Sequence, residues 1–165
     1  MTSPQADSQD RPPQAVAPVH WKVVIDASDP LAQAEFWAAA LGYLVEDHSV
    51  LIGGLLAAGA LPEEQTVQVR GHHAFRDVAA VRHPEDPVQD GTGTGLGRRL
   101  LFLRVPEPKQ GKNRLHLDLH PGPEAREAEV VRLTELGATF VRRVEEPQGT
   151  HVVMRDPEGN ELCVA

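Results

Sequence analysis

The chain has 165 residues, a formal net charge of -8, 41% hydrophobic residues and only 4% aromatics. That length suits one domain, or two small halves sharing an aliphatic core, and the acidic balance argues against a nucleic-acid partner, because binding phosphates needs a positive stripe. No apolar run approaches the length of a membrane span and the lone Cys163 permits no internal disulfide, so no membrane partner and a cytoplasmic location are expected.

Residues 1–17 are rich in Pro, Gln, Ser and Asp and have no hydrophobic period; a disordered tail is expected, without the basic and apolar segments of a secretory signal. Residues 20–26 (His-Trp-Lys-Val-Val-Ile-Asp) read as the first strand. Ser28 or Asp29 offers an N-cap and Pro30 suits the first helical position. Leu31, Ala34, Ala38 and Leu41 then share a helical face, widened by Phe36 and Trp37, and Gly42 closes the helix before a strand over 43–45. Asp47 or Ser49 caps a short inserted helix through Leu51, Ile52, Leu55 and Leu56. Its Gly53 and Gly54 make it dependent on tertiary packing. His72 and His73 point to opposite faces of a strand, so they cannot share one ion. Residues 78–86 form a strand running into a Pro-Glu turn. The glycine run 91–97 lacks the Gly-Lys-Ser/Thr of a phosphate loop and precedes a strand, 99–105, so a flexible loop is expected. Residues 106–111 are a linker.

Residues 114–120 read Arg-Leu-His-Leu-Asp-Leu-His. Strict alternation predicts a half-buried strand with Leu115, Leu117 and Leu119 on the core and Arg114, His116, Asp118 and His120 on the other face. A helix over 124–136 follows, ended like the first by Leu-Gly. Residues 151–159 then echo 78–86, and a last strand covers 161–164. The chain thus spells β-α-β-β-β twice, as modules 18–106 and 112–165 of one domain, 18–165, in the α+β class.

The paired modules, Asp-Pro-Glu-Gly-Asn at 156–160, and the segment Leu-Phe-Leu-Arg-Val-Pro-Glu-Pro-Lys (101–109) followed by Lys-Asn-Arg-Leu-His-Leu-Asp (112–118) resemble the vicinal oxygen chelate superfamily. The likeness is greatest to its glyoxalase-like and bleomycin-resistance-like members. The resemblance implies two curled mixed sheets around a cleft, with an inserted helix in the first module, and a homodimer. It also implies, in metal-dependent members, a divalent ion held by His and Glu from the first and fourth strands of each module. Here the matching positions carry Lys22 on the first strand, Phe102 or Arg104 on the fourth, Arg114 or His116 on the fifth, and Cys163 or Glu161 on the last. Lysine and arginine are poor ligands. No metal or other cofactor is therefore expected; for a bound divalent ion the candidates are His116, Glu161, Cys163 and His20.

Without a metal, Lys22, Phe102, Arg104, Arg114, His116 and Asp118 make a ligand-binding set for a small anionic or polar molecule, with His116 and Glu161 as catalytic candidates. The glycine run and the segment 50–71 are placed to cover the cleft. Two alternatives stay open: a metal-dependent lyase or dioxygenase, and a resistance-type protein that sequesters a drug.

Overall fold

Each half of the chain builds one four-stranded mixed sheet with a helix against one side. The computed structural model describes residues 17–147 and 149–165, so the expected tail lies, but for Ala17, outside the described residues. The first half runs β1 (Val23–Ala27), α1 (Pro30–Leu41), β2 (Leu44–Val45), α2 (Ser49–Ala57), β3 (Thr66–Val69), β4 (His72–Phe75), β5 (Val78–Arg82) and β6 (Arg99–Arg104). The second runs β7 (Leu117–Leu119), α3 (Arg126–Glu135), β8 (Thr139–Glu146), β9 (Gly149–Arg155) and β10 (Glu161–Val164). The sheet orders, β1-β6-β5-β2 and β7-β10-β9-β8, are the same order repeated; β3 and β4 form a separate hairpin. In each sheet the first and last strands of the unit pair in parallel and the other pairings are antiparallel. The fold is α+β, as the pattern predicted.

Alternation assigns the faces. Phe102, Val81 and Leu100 join Trp37, Phe36 and Ala34 of α1 in a buried cluster that continues into Leu133 of α3, Val152, Met154, Leu162 and Val164. The intervening residues Val24, Leu103, Asp118 and Cys163 turn away from the helices. Helix α1 starts where Asp29 accepts the Ala32 N–H at 3.3 Å, continues through Pro30, and stops at Gly42, whose φ of 67° favours glycine.

The second half holds both ends of α1. Glu158 accepts the backbone N–H groups of Ser28 (2.8 Å) and Asp29 (2.7 Å) at its start. Buried Asp156 accepts the Trp37 indole N–H at 3.2 Å and the N–H groups of Glu158 and Asn160, which also closes its own turn. Arg132 of α3 donates to the Ala39 and Ala40 carbonyls at the other end.

Two expected strands are shorter than their alternation. The first begins at Val23 rather than at residue 20, because its partner β6 begins only at Arg99. The site strand begins at Leu117 rather than at residue 114: β7 pairs only with β10, and Leu117 already faces Leu162. Leu115 is therefore 82% exposed, not a core residue.

The glycine run packs against the first sheet. Glu46, fully enclosed, grips Arg99 through two bonds of 2.7 and 2.8 Å and accepts the Gly95 N–H at 2.8 Å. A Cβ at Gly95 would stand 2.7 Å from that of Arg82, so the close approach requires glycine. The His48 ring donates Nδ1–H to the Thr92 carbonyl at 2.5 Å and meets Glu46 Oε2 through Nε2 at 3.2 Å. Both partners are acceptors, so the ring that satisfies both carries two protons.

Two outcomes follow. Replacing Asp156 with Ala removes the acceptor shared by α1 and its turn, and is expected to cost about 2–4 kcal/mol in urea unfolding followed by tryptophan emission. The Glu46 carboxylate raises the His48 pKa above its usual value against the opposing effect of burial. Stability from this contact is thus complete below the unfolded-state value of about 6.5 and declines as pH rises through the folded value. Melting curves from pH 5 to 9 are expected to show that decline in the wild type and to lose it in His48→Gln.

Candidate functional site

Beside the edge strands β1 and β7, each paired on one side among the described residues, lie two clefts that meet at Trp21, Val23 and Leu117. The first, about 840 Å³, takes in His20, Lys22, Tyr43, Arg98, Asp118 and His120, and the glycine loop reaches its wall through Leu96 and Gly97. The second, about 850 Å³, takes in Val24, Asp26, Lys112, Arg114, Leu115, His116 and Glu161. A hollow of about 530 Å³ adjoins it at Lys112 and Glu161 and adds Arg142, Val153 and Arg155.

Strand register explains this grouping. Asp118, Cys163, Val153 and Arg142 are successive partners across β7, β10, β9 and β8, on the face turned away from Leu133. A register shift between Phe140 and Arg142 puts the arginine in this row where regular pairing would put Val141. His116 Nε2 stands 3.3 Å from Asp118 Oδ1. Burial, then the Asp118 carboxylate, pushes the Cys163 thiol up, so it holds its proton. Glu161 accepts the Asn113 N–H at 3.0 Å, with Lys109 at 3.4 Å. Its partial burial is outweighed by these contacts, which hold its carboxyl below the usual range.

The expected residues are therefore divided. Arg114, His116 and Glu161 line the second cleft, while Lys22, His20 and Asp118 line the first. Phe102 and Arg104 belong to neither. Phe102 is 0% exposed, because its register with Ile25 and Ala79 turns it to the helix side. Arg104 bonds Asp77 at 2.7 Å and the Ser28 carbonyl. Lys112, Arg142 and Arg155 went unforeseen: the first sits at the linker's end and the other two depend on the register of β8 and β9. The segment 50–71 lines neither cleft; its last residues Val69 and Arg70, with the β3–β4 hairpin, line a separate cavity of about 230 Å³ beside Leu31 and Glu35 of α1.

A family model described as a glyoxalase-like domain matches residues 22–165. The chain belongs to the glyoxalase-like domain family. Solved structures of the same fold include a glyoxalase/bleomycin resistance protein/dioxygenase family enzyme from Burkholderia phytofirmans PsJN, with 16% identity, 87% of this chain and 94% of that one covered, and a TM-score of 0.53. Fosfomycin resistance protein FosX from Listeria monocytogenes, solved with Mn(II) and a dihydroxypropylphosphonic acid, matches at 9% identity over 90% of each chain with a TM-score of 0.54. The bleomycin-binding protein of Streptomyces verticillus, in complex with copper(II)-bleomycin, matches at 18% identity over 92% and 98% with a TM-score of 0.50. No curated protein matches the sequence.

A glyoxalase-like metal centre with ligands from both modules does not fit the donors present. The helix-averse face of the first sheet offers Val24, Leu101 and Leu103, which have no lone pairs, and Asp26 alone among them does. The second sheet has a three-donor group, His116, Asp118 and Cys163, whose ligand atoms lie within 4.8 Å of one another. Lys112 and Arg142 act on that same group as positive charges, lowering the thiol's pKa against the stronger effects of burial and Asp118. Positive charge therefore stands beside this donor group.

Proposed function

We propose that this glyoxalase-like protein binds a small organic anion in the joined clefts, without the two-module metal centre. The observation that supports this is where unpartnered positive charge lies. Arg70, Arg98, Arg99, Arg104, Arg132 and Arg143 all face carboxylates within 2.9 Å. Among the described residues, Lys109 and Arg155 meet Glu161 at 3.4 and 3.8 Å, while Lys22, Arg76, Arg82, Lys112, Arg114, Arg126 and Arg142 have no carboxylate partner, and four of those seven line the clefts. The second cleft also carries the carboxylates Asp26, Glu107, Glu158 and Glu161; Glu158 is engaged by backbone N–H groups and Glu161 by Asn113 and Lys109, so the unpartnered cations of the joined clefts outnumber the unengaged carboxylates Asp26 and Glu107. Arginine and lysine together favour a carboxylate, phosphate or phosphonate head. His116, oriented by Asp118, is the group able to move a proton at the bound molecule. Glu161, engaged by Asn113 and Lys109, holds the wall instead.

The grouping of His116, Asp118 and Cys163 favours one second reading, a metal-dependent lyase or dioxygenase. Sequestration without turnover, the resistance-type alternative, differs from both in leaving the ligand unchanged. Isothermal titration with inorganic phosphate is expected to give one binding event in the wild type, weakened at least tenfold by Arg114→Met or Arg142→Met. Equal affinity in these variants would reject the anion site. Elemental analysis showing one divalent ion per chain, lost on His116→Ala, would move the assignment to the metal-dependent reading.

A further inference from the structure

We infer that the ligand is an amphipathic organic anion, whose charged head meets Lys112, Arg114 and Arg142 and whose aromatic or branched apolar body lies on Trp21 and Leu115. This deepens, and rests on, the anion-site reading.

Two side chains carry the inference. Trp21 is 81% exposed and Leu115 is 82% exposed, and both line the second cleft. The chain has only two tryptophans; the other, Trp37, is buried and hydrogen-bonded in the core. Neither exposed residue supports folding: each lies just before an edge strand, Trp21 ahead of β1 and Leu115 ahead of β7. Val24, 46% exposed, extends the same surface from β1. Large apolar side chains gathered at a concavity are covered when its occupant arrives, and the occupant gains by excluding water from them.

The charges select the occupant. Lys112 and Arg114 share this cleft and Arg142 lies in the adjoining hollow; of the carboxylates on the same wall, Glu158 and Glu161 are taken up by backbone N–H groups and Lys109, and Asp26 and Glu107 stand without a cation. A second copy docking through the patch would bring the same unpartnered cations to the contact, because a twofold contact is made by the same patch on both copies. An inorganic oxyanion would satisfy the cations yet fill a small part of about 850 Å³ and leave Trp21 and Leu115 in water. A neutral aromatic would cover the apolar pair and leave the cations unanswered. An organic anion with an apolar body answers both.

The test measures binding of three probes to the full chain by isothermal titration calorimetry: anilinonaphthalene sulfonate, inorganic sulfate, and uncharged naphthalene methanol. The sulfonate is expected to bind one site at least tenfold more tightly than either of the others. Trp21→Ala should weaken the sulfonate about tenfold and leave sulfate unchanged, while Arg114→Met should weaken both anions and leave the alcohol unchanged. Both positions are at the surface, and unaltered melting temperatures check that each variant folds. Sulfate binding as tightly as the sulfonate, with Trp21→Ala silent, overturns the inference while the anion site survives. Failure of both anions to bind removes the inference together with the reading beneath it. Naphthalene methanol binding as tightly as the sulfonate, with Arg114→Met silent, also overturns it. So does protein that ignores the soluble sulfonate and sediments with phosphatidylglycerol vesicles, which would make the patch a membrane contact.

Discussion

The turn Asp156-Pro157-Glu158-Gly159-Asn160 belongs to the second module by position and to the first by its bonds. Asp156 uses its carboxylate to shape the turn and to accept the indole N–H of Trp37, a residue 119 positions earlier. Glu158 takes up two backbone donors just ahead of α1, where a helix start otherwise leaves N–H groups without partners. A carboxylate there also complements the positive end of the helix dipole. With Arg132 on the Ala39 and Ala40 carbonyls, α1 is held at both ends by the other half of the chain. That restraint sets the separation of β1 from β7, and hence the clefts between them.

The corresponding turn of the first module does something else. Asp86 is held by Arg98, which bonds it through the side chain at 2.7 and 3.1 Å and keeps its pKa at about 2. It therefore closes the base of the glycine loop, whose other ties are Glu46 and His48. Burial alone would raise the Glu46 pKa; bonds from His48, Arg99 and Gly95 overcome that and bring it to about 2. Desolvating a carboxylate is tolerable only with such partners. One copy of the turn thus joins the modules, and the other secures a loop along the first cleft.

Much of this fold was legible from local chemistry. Asp29, Pro30 and Gly42 bound α1, and the two echoing strand-turn segments expose the duplication. What alternation could not convey was where pairing begins. Arg114 to His120 alternate faultlessly, yet a strand needs a neighbour, and β10 supplies one only from Leu117 onward. The same limitation misplaced Phe102 and Arg104, which share a face with the core because of register with Ile25 and Ala27. Arg142 was harder still. Its place beside Cys163 and Asp118 depends on the irregularity between Phe140 and Arg142, and a single extra residue in β8 leaves no mark in the hydrophobic pattern.

That irregularity bears on the chemistry proposed for the face. With regular pairing, Val141 would take the place opposite Val153, and the row from Asp118 would end in two valines. His116, Asp118 and Cys163 would then face a neutral neighbour, a setting in which a carboxylate and an imidazole can share a cation. Arg142 changes the balance, and Lys112 adds to it from the linker. Two fixed positive charges beside a protonated thiol raise the cost of a divalent ion and lower that of an anion. On the proposed anion reading, the one-residue change in strand register is what brings the Arg142 charge to this face, where Lys112 joins it.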